Sequence, residues 1–515
     1  MPPRLTSRER LAILAALALF LAILARTAWV CDDAYITFRT ADNLLHGFGP
    51  RWNVAERVQA YTHPLWMLIL TAAMAVTREP YFTAIALSVA LSLAAAWLIA
   101  FRLAATGWQA LVGLLILASS KAFVDFSTSG LENAASHALI AWYLAALMQA
   151  ESAPLSARPI AIAALALVNR QDLVWLIGPS LVAYIAPRRS GRWWGRVLTG
   201  LAPLLIWEAF SVAYYGFAVP NTAFAKLHTG IAERDLIVQG LRYFQESAVH
   251  DPVTLAAIVA SIAIGVARPG RARMLAFGQA LYLAYIVWIG GDFMSGRFFT
   301  APLVVGVAQL VAAPIEVAKW WRVAVAAAVV ALGFVPATPN VLSGARFGMN
   351  VDLEYREYFG ISDERKTYYA RLGLLRVHHQ WQSPDLLDAN LAATMRAAGQ
   401  TVATREAVGM FGYAAGPTLY VVDRFGLGDP LMARLPASGA WRIGHFHREL
   451  PPGYIQTLRT GANVITDTGV AQYFDTLSTI TRGPIWSLGR WRAIVSMNLG
   501  LDDRLLDAYR TGLHQ

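Results

Sequence analysis

Leu11-Ala12-Ile13-Leu14-Ala15-Ala16-Leu17-Ala18-Leu19-Phe20-Leu21-Ala22-Ile23-Leu24 is followed shortly by Cys31-Asp32-Asp33-Ala34-Tyr35-Ile36. The first stretch, with its flanks, is long enough to cross a bilayer, and two adjacent carboxylates stand where it ends. Charge beside hydrocarbon is costly and is normally kept there for a use. The pair therefore reads as the chemical centre of a membrane enzyme. Asp is also a good N-cap, so the same two residues suit the start of a following helix.

The whole chain favours the first reading. Of 515 residues, 56% are hydrophobic and 15% charged, and the mean hydropathy is +0.44. A soluble domain carries about 25% charged residues, so this composition is that of a multi-spanning membrane protein. Seventeen Trp and nineteen Tyr suit two membrane interfaces. The single cysteine, Cys31, allows no internal disulfide. The net charge of +10 need not mean nucleic acid: much of it can be loop arginine that orients spans, no nucleic-acid motif is present, and no nucleic-acid partner is expected. The N-terminal segment resembles a signal peptide, but no small-residue cleavage site follows it, so a retained first span is expected.

Hydropathy and Lys/Arg placement lay out about eleven transmembrane helices. Arg4, Arg8 and Arg10 put the N-terminus inside. The spans are expected near 11–30, 81–101, 108–120, 132–149, 159–168, 173–186, 197–214, 252–267, 274–289, 298–314 and 323–337. The stretch 64–77 is short for a span and right for an interfacial helix. Making it interfacial puts the two densest arginine clusters inside: Arg188, Arg189, Arg192 and Arg196, then Arg268, Arg271 and Arg273.

This layout places every polar motif of the apolar region on the outer face. The motifs are Asp32-Asp33, Ser129–Asn133, Asn169-Arg170-Gln171-Asp172, Pro220–Lys226 and Gly291–Arg297. A site assembled from span ends on one face suits a membrane enzyme. A transporter would place ionisable groups near the midplane on broken helices, and no clear inverted repeat is present. After residue 338 the long apolar runs stop. The expected organisation is a transmembrane domain, 1–337, with a catalytic first outer loop, 31–63, and an extracytoplasmic domain, 338–515. In the latter, Thr401–Thr404 and Leu419–Asp423 read as strands and Leu386–Ala398 as a helix, giving a small mixed α/β domain. Gly444-His445-Phe446-His447 places two histidines on one side of a strand, but further metal ligands are not identifiable.

Asp32 and Asp33 suit a general base that takes a proton from an acceptor hydroxyl, or a cation site that steadies a phosphate leaving group. Adjacent residues point in different directions, so one acts and the other orients it. Arg39 follows at helical spacing and lines the same cavity or forms a surface ion pair. Tyr61 and His63 open the interfacial helix, where His63 suits acid/base work, sugar binding or an N-cap. Glu132 is the first ionisable residue at its span's outer end. Arg170 and Asp172 contact substrate or pair with each other. Asn221 and Lys226 follow Pro220. Lys226 and Arg297 are cations at the outer boundary suited to a lipid phosphate, or to ordinary headgroups by snorkelling. A tight turn brings Asp292 and Arg297 into one pocket. No metal site is assigned.

Taken in order, Asp32–Arg39, Asn53–Val58, Tyr61–Trp66, Gly130-Leu131-Glu132, Pro220-Asn221-Thr222 with Lys226, Gly290–Arg297, Asp363-Glu364-Arg365 with Tyr368-Tyr369, and Asp423–Pro430 resemble the terminal β-(1→2)-arabinofuranosyltransferases of bacterial cell-wall arabinan. The resemblance implies a GT-C fold with its catalytic acid in the first outer loop, here Asp32 and Asp33. It implies a polyprenyl-phosphate arabinofuranose donor and a glycan acceptor, used on the outer face of the cytoplasmic membrane. If donor and product are both β-linked, the outcome is formally retention, and a single displacement is insufficient. The chain departs from the expected pattern at His63, Asn133 and Gln171, which leaves the sugar and the acceptor open. No cofactor follows from the resemblance beyond room for a divalent cation. The alternatives are another lipid-linked sugar, a protein or lipopolysaccharide acceptor, a glycolipid transporter, and a receptor-like membrane protein.

Overall fold

The computed structural model describes residues 5–150, 154–188, 191, 193–227, 229–316, 318–348, 357–377 and 383–512. Arg4, Arg189 and Arg192, used above to orient spans, lie outside the described residues. The chain divides into two compact units. One comprises Met1–Cys31, Tyr81–Leu204 and Glu233–Pro384; the other comprises Asp32–Pro80, Leu205–Ala232 and Asp385–Gln515.

The first unit holds most of the apolar helices. Its first, Ser7–Thr27, starts on a capping box in which the Thr6 hydroxyl accepts from the Glu9 amide and the Glu9 carboxylate accepts from the Thr6 amide. Every apolar stretch read from the sequence is helical: Pro80–Leu98, Gly107–Ser119, Asn133–Gln149, Ala157–Asn169, Leu173–Ile185, Pro252–Val266, Arg271–Trp288, Thr300–Ala312 and Lys319–Gly333 follow, and Trp193–Tyr215 begins in this unit. Among the described residues three helices, Ser7–Thr27, Pro80–Leu103 and Trp193–Tyr215, are long and apolar enough to cross a membrane. The pair Glu233–His250 and Pro252–Val266 passes the same test together but is bent by 110°.

Small residues let these helices approach closely, as apolar helices require where the surroundings are equally apolar. A Cβ on Gly278 would lie 2.1 Å from the Leu176 carbonyl oxygen, so Arg271–Trp288 and Leu173–Ile185 meet backbone to backbone there. Polar side chains within the bundle pair with one another: Ser261 Oγ donates to Gln279 Oε1 at 2.8 Å, and the Tyr143 and Ser180 hydroxyls meet at 2.8 Å.

Helix Glu233–His250 has no counterpart in the hydropathy reading. Its buried residues are Gln239, Gly240, Tyr243, Glu246 and Ser247, so it turns a largely polar face inward and carries no apolar stripe to find. The residues from 338 to Pro384 also belong to this unit. Their short hairpin, Glu357–Tyr358 against Ile361–Ser362, is tied to the Asp292–Arg297 loop by Ser362 N to Phe293 O, 2.7 Å, and Ser295 N to Ser362 O, 2.9 Å.

The second unit is built on a parallel pair of strands, Val402–Arg405 and Tyr420–Asp423, with Val402 opposite Tyr420. Alternation along the strands sorts their side chains to two sides. Val402 and Val422 join one core with Tyr454, Phe474, Leu477 and Ile480. Ala403 and Val421 join another with Ile36, Trp52, Val408 and Phe411. Ile36 and Trp52 come from the stretch 31–63, so that stretch and the C-terminal segment share one hydrophobic core.

Candidate functional site

Asp32 and Asp33 form the first turn of helix Asp32–Leu45, where acids favour the positive end of the helix dipole. The Asp32 carboxylate is seated on the start of helix Gly409–Ala415. Its Oδ2 accepts from the Gly409 amide at 2.9 Å and its Oδ1 from the Met410 amide at 2.8 Å. Burial pushes the Asp32 carboxyl up to about 6, and the neighbouring charges of Asp33 and Asp388 push the same way, while the two amides oppose them. A carboxylate titrating near 6 is a competent proton acceptor at neutral pH.

The two carboxylates part along the helix. Asp32 shares a face with Ile36 and Arg39, one and two turns on, and that face enters the core. Asp33 shares a face with Thr37, four residues on. The Thr37 hydroxyl and His63 Nε2 are 2.7 Å apart, so the imidazole stands on the Asp33 side of the helix. His63 occupies the N-cap position of helix Pro64–Thr77 but makes no side-chain capping bond. Tyr61 donates to the Tyr215 hydroxyl at 2.8 Å, because that hydroxyl uses its own proton on the Pro50 carbonyl at 2.7 Å.

Arg39 is fully enclosed. Its guanidinium donates to the carbonyls of Trp52, 2.8 Å, Gly412, 2.5 Å, and Leu419, 3.0 Å, and lies 4.5 Å from the centre of the Trp52 ring. Asn221 is held equally firmly: its amide donates to the carbonyls of Gly426, Leu427 and Asp429, and its Oδ1 accepts from Arg434 at 3.0 Å. Both bind the stretch 31–63 or helix Asn221–Leu227 to the C-terminal segment. Lys226, half-buried at the end of that helix, makes no ion pair among the described residues.

The first unit gathers the other five expected residues into one buried cluster. Arg297 reaches both oxygens of Glu132, at 3.0 and 3.3 Å, and Asp292 Oδ2 at 3.4 Å. Arg170 lies 3.6 Å from Glu132 Oε1 and pairs bidentately with Asp172, Nε to Oδ1 at 3.0 Å and a terminal nitrogen to Oδ2 at 2.5 Å. Tyr282 donates to Asp172 Oδ2 at 2.9 Å. Three carboxylates thus share two guanidiniums, with Glu132 between the two.

The sequence aligns over 552 residues with a protein of Mycobacterium tuberculosis named terminal beta-(1->2)-arabinofuranosyltransferase, at 28% identity, covering 87% of this chain and 84% of that protein. A Corynebacterium glutamicum protein of the same name is 26% identical over 81% of this chain and 72% of its own length. The chain is a relative of these glycosyltransferases. No family model matches the chain. No solved structure matches it.

In this transferase relative, several contributors to the two clusters carry no mark in the sequence. The amides of Gly409 and Met410 are backbone groups nearly four hundred residues from Asp32. Tyr282 and Tyr215 sit inside apolar runs where an aromatic reads as core or interface. Thr37 was accessible, since its spacing from Asp33 is one helical turn. His137, one turn below Asn133, is buried and stacks on Phe123 with ring centres 4.6 Å apart. Among the described residues no three His, Cys, Asp or Glu side chains come together as metal ligands. His445 and His447 separate, the first edge-on to Phe425 with ring centres 5.0 Å apart and the second 3.2 Å from Glu406.

Two other motifs of the transferase resemblance are structural in their contacts. Asp423 folds its own loop by accepting from the amides of Phe425 and Gly428, and Asp429 accepts from Leu431, Met432 and Tyr454. Arg365 pairs with Asp125 at 2.7 Å and Lys121 with Asp363 at 3.0 Å, enclosing two cations and two acids.

Proposed function

We propose that this chain transfers D-arabinofuranose from a polyprenyl-phosphate donor to a hydroxyl of a glycan acceptor on the outer face of the cytoplasmic membrane. It does so as a GT-C-type enzyme with about eleven spans, its N-terminus inside and residues 338–515 outside. The observation that carries this reading is the Asp32–Asp33 pair, with Asp32 fixed on two amides and its carboxyl raised to about 6, in a chain related to two proteins named as arabinofuranosyltransferases.

Over the whole reaction the bond from the anomeric carbon to the phosphate oxygen breaks and the acceptor oxygen becomes bonded to that carbon; with donor and product both β-linked this is net retention, so it does not run as one in-line displacement. The hydroxyl proton passes to Asp32 or Asp33, and the electron pair leaves with polyprenyl phosphate. The oxocarbenium-like transition state is stabilised by a nearby carboxylate. His63, on the Asp33 side of the helix, binds sugar hydroxyls. Lys226 and Arg297 are each a candidate cation for the donor phosphate, Arg297 by exchanging its longer contact, that to Asp292.

Purified protein in nanodiscs, given polyprenylphosphoryl-arabinofuranose and an arabinan oligosaccharide, tests this directly. Wild type releases polyprenyl phosphate only when acceptor is present, and Asp32→Asn or Asp33→Asn abolishes turnover while donor binding persists. Full turnover in both variants would remove the pair from the chemistry. Acceptor-independent movement of intact donor across the membrane would identify a transporter.

A further inference from the structure

We propose that Gly409 is a positioning residue for the transfer: by carrying no side chain it admits its own amide and that of Met410 to the two oxygens of Asp32, and so fixes where that carboxylate points. The inference rests on the reading of Asp32 given above.

Three observations support it. A Cβ added at Gly409 would lie 1.9 Å from the Asp32 carbonyl oxygen and 2.8 Å from Asp32 Oδ2. The first obstacle is backbone, which cannot swing aside as a flexible side chain can, so any substitution must part the two segments. Second, the amides engage different oxygens, at 2.9 and 2.8 Å, and a carboxylate held at both ends loses the broad terminal rotation it otherwise has. Third, the short helix that supplies the amides is anchored independently. Val408, Phe411 and Ala415 sit in the core with Ile36 and Trp52, and Gly412, one turn after Gly409, has no room for a Cβ against the Trp52 ring. The charged groups facing Asp32 are Asp33 on its own helix and Asp388 from the segment preceding helix Ala389–Ala397. Both resist ionisation of Asp32, and the two amides favour it.

The experiment compares wild type, Gly409→Ala, Met410→Pro and Asp32→Asn in nanodiscs, reading kcat, donor KM and the pH dependence of kcat/KM. Proline at the second helical position removes the donor to Asp32 Oδ1 where no intrahelical bond is lost. Gly409→Ala and Met410→Pro are expected to lower kcat about tenfold or more with a small change in KM. They are also expected to move the acid limb of kcat/KM upward by roughly half to one pH unit, because the ionised carboxylate has lost donors. Where Gly409→Ala does not accumulate, Met410→Pro decides. An unmoved acid limb overturns the proposal, whether activity is full or uniformly reduced, because a merely structural glycine changes the amount of active enzyme and not its titration. Turnover retained in Asp32→Asn is a separate result. It would overturn the catalytic reading of Asp32, and the positioning role with it.

Discussion

Arg297 lays one terminal nitrogen across both oxygens of Glu132, at 3.0 and 3.3 Å, and reaches Asp292 with the other at 3.4 Å. Glu132 is 1% exposed and also stands 3.6 Å from Arg170, so a single enclosed carboxylate is shared between two guanidiniums. Removing one partner of a buried pair leaves the other charge uncompensated, at a cost of about 3–5 kcal/mol, whereas removing both costs much less. Glu132→Gln should therefore lower the melting temperature in nanodiscs more than Asp292→Asn does. Arg297→Gln added to Glu132→Gln should recover part of the loss. A double-mutant cycle over these two positions reads the coupling, and strict additivity would show that the pair contributes no mutual stabilisation.

The acid limb of the transfer rate should fall near pH 6, the value to which burial lifts Asp32. As the proposed base, Asp32 must be ionised to accept a proton, so activity should rise with pH through that value. Asp388 contributes to the lift as a like charge, and its backbone sits at φ 61°, a conformation Asn tolerates. Asp388→Asn removes the charge without backbone strain. The acid limb should then move downward, opposite to the shift expected for Gly409→Ala, with kcat at pH 8 close to wild type. A pH–rate profile of the variant checks the sign, and an upward or absent shift would contradict it.

The sequence made the apolar helices legible because a run of Leu, Ala, Ile and Val is helical in a membrane chain whichever neighbours it packs against. Pro64–Thr77 matches its expected bounds for that reason, with Pro64 marking its first turn. Strands Val402–Arg405 and Tyr420–Asp423 were legible from short β-branched runs between turns. Helix Glu233–His250 was not, since its buried face is polar. The pairings Arg170–Asp172 and Asp292–Arg297 followed from closeness in sequence. Those of Asp32 with Gly409 and of Glu132 with Arg297 did not, because they join groups far apart in the chain and leave no periodic trace. The seating of residues 31–63 on the C-terminal strands escaped for the same reason: Ile36 and Trp52 look like any half-apolar loop residues until their partners Ala403 and Val421 are known.

Two glycines on facing helices of the first unit should respond unequally to the same substitution. At Gly278 a Cβ would meet the Leu176 carbonyl oxygen at 2.1 Å, while at Gly178 it would meet only Val174 Cγ2, at 3.8 Å, an ordinary contact. Gly278→Ala must push helix Arg271–Trp288 off its neighbour, at about 1–3 kcal/mol for an overpacked contact. Gly178→Ala gains helix propensity, up to about 1 kcal/mol, set against the crowding of its Cβ on the ring of Pro179, the next residue. Melting temperatures in one detergent should therefore fall clearly further for Gly278→Ala than for Gly178→Ala. Equal effects at the two positions would mean that the close approach does not govern stability there.

The hydroxyls of Tyr61 and Tyr215 form a directional chain, Tyr61 to Tyr215 to the Pro50 carbonyl, at 2.8 and 2.7 Å. Direction makes the two phenylalanine substitutions unequal. Tyr61→Phe removes the outer donor and leaves the Tyr215 bond to Pro50 intact, so it should cost about 0.5–1.5 kcal/mol, the net worth of one hydrogen bond. Tyr215→Phe strands the Tyr61 hydroxyl and the Pro50 carbonyl together. Each is buried or nearly so, and an unsatisfied buried group costs about 1–3 kcal/mol, so the loss should be roughly double. Tyr61→Phe introduced into Tyr215→Phe should then restore stability, because it removes one stranded hydroxyl. Chemical or thermal unfolding of the three variants in nanodiscs measures the order. A double variant less stable than Tyr215→Phe alone would show that the Tyr61 hydroxyl finds another partner once Tyr215 is gone.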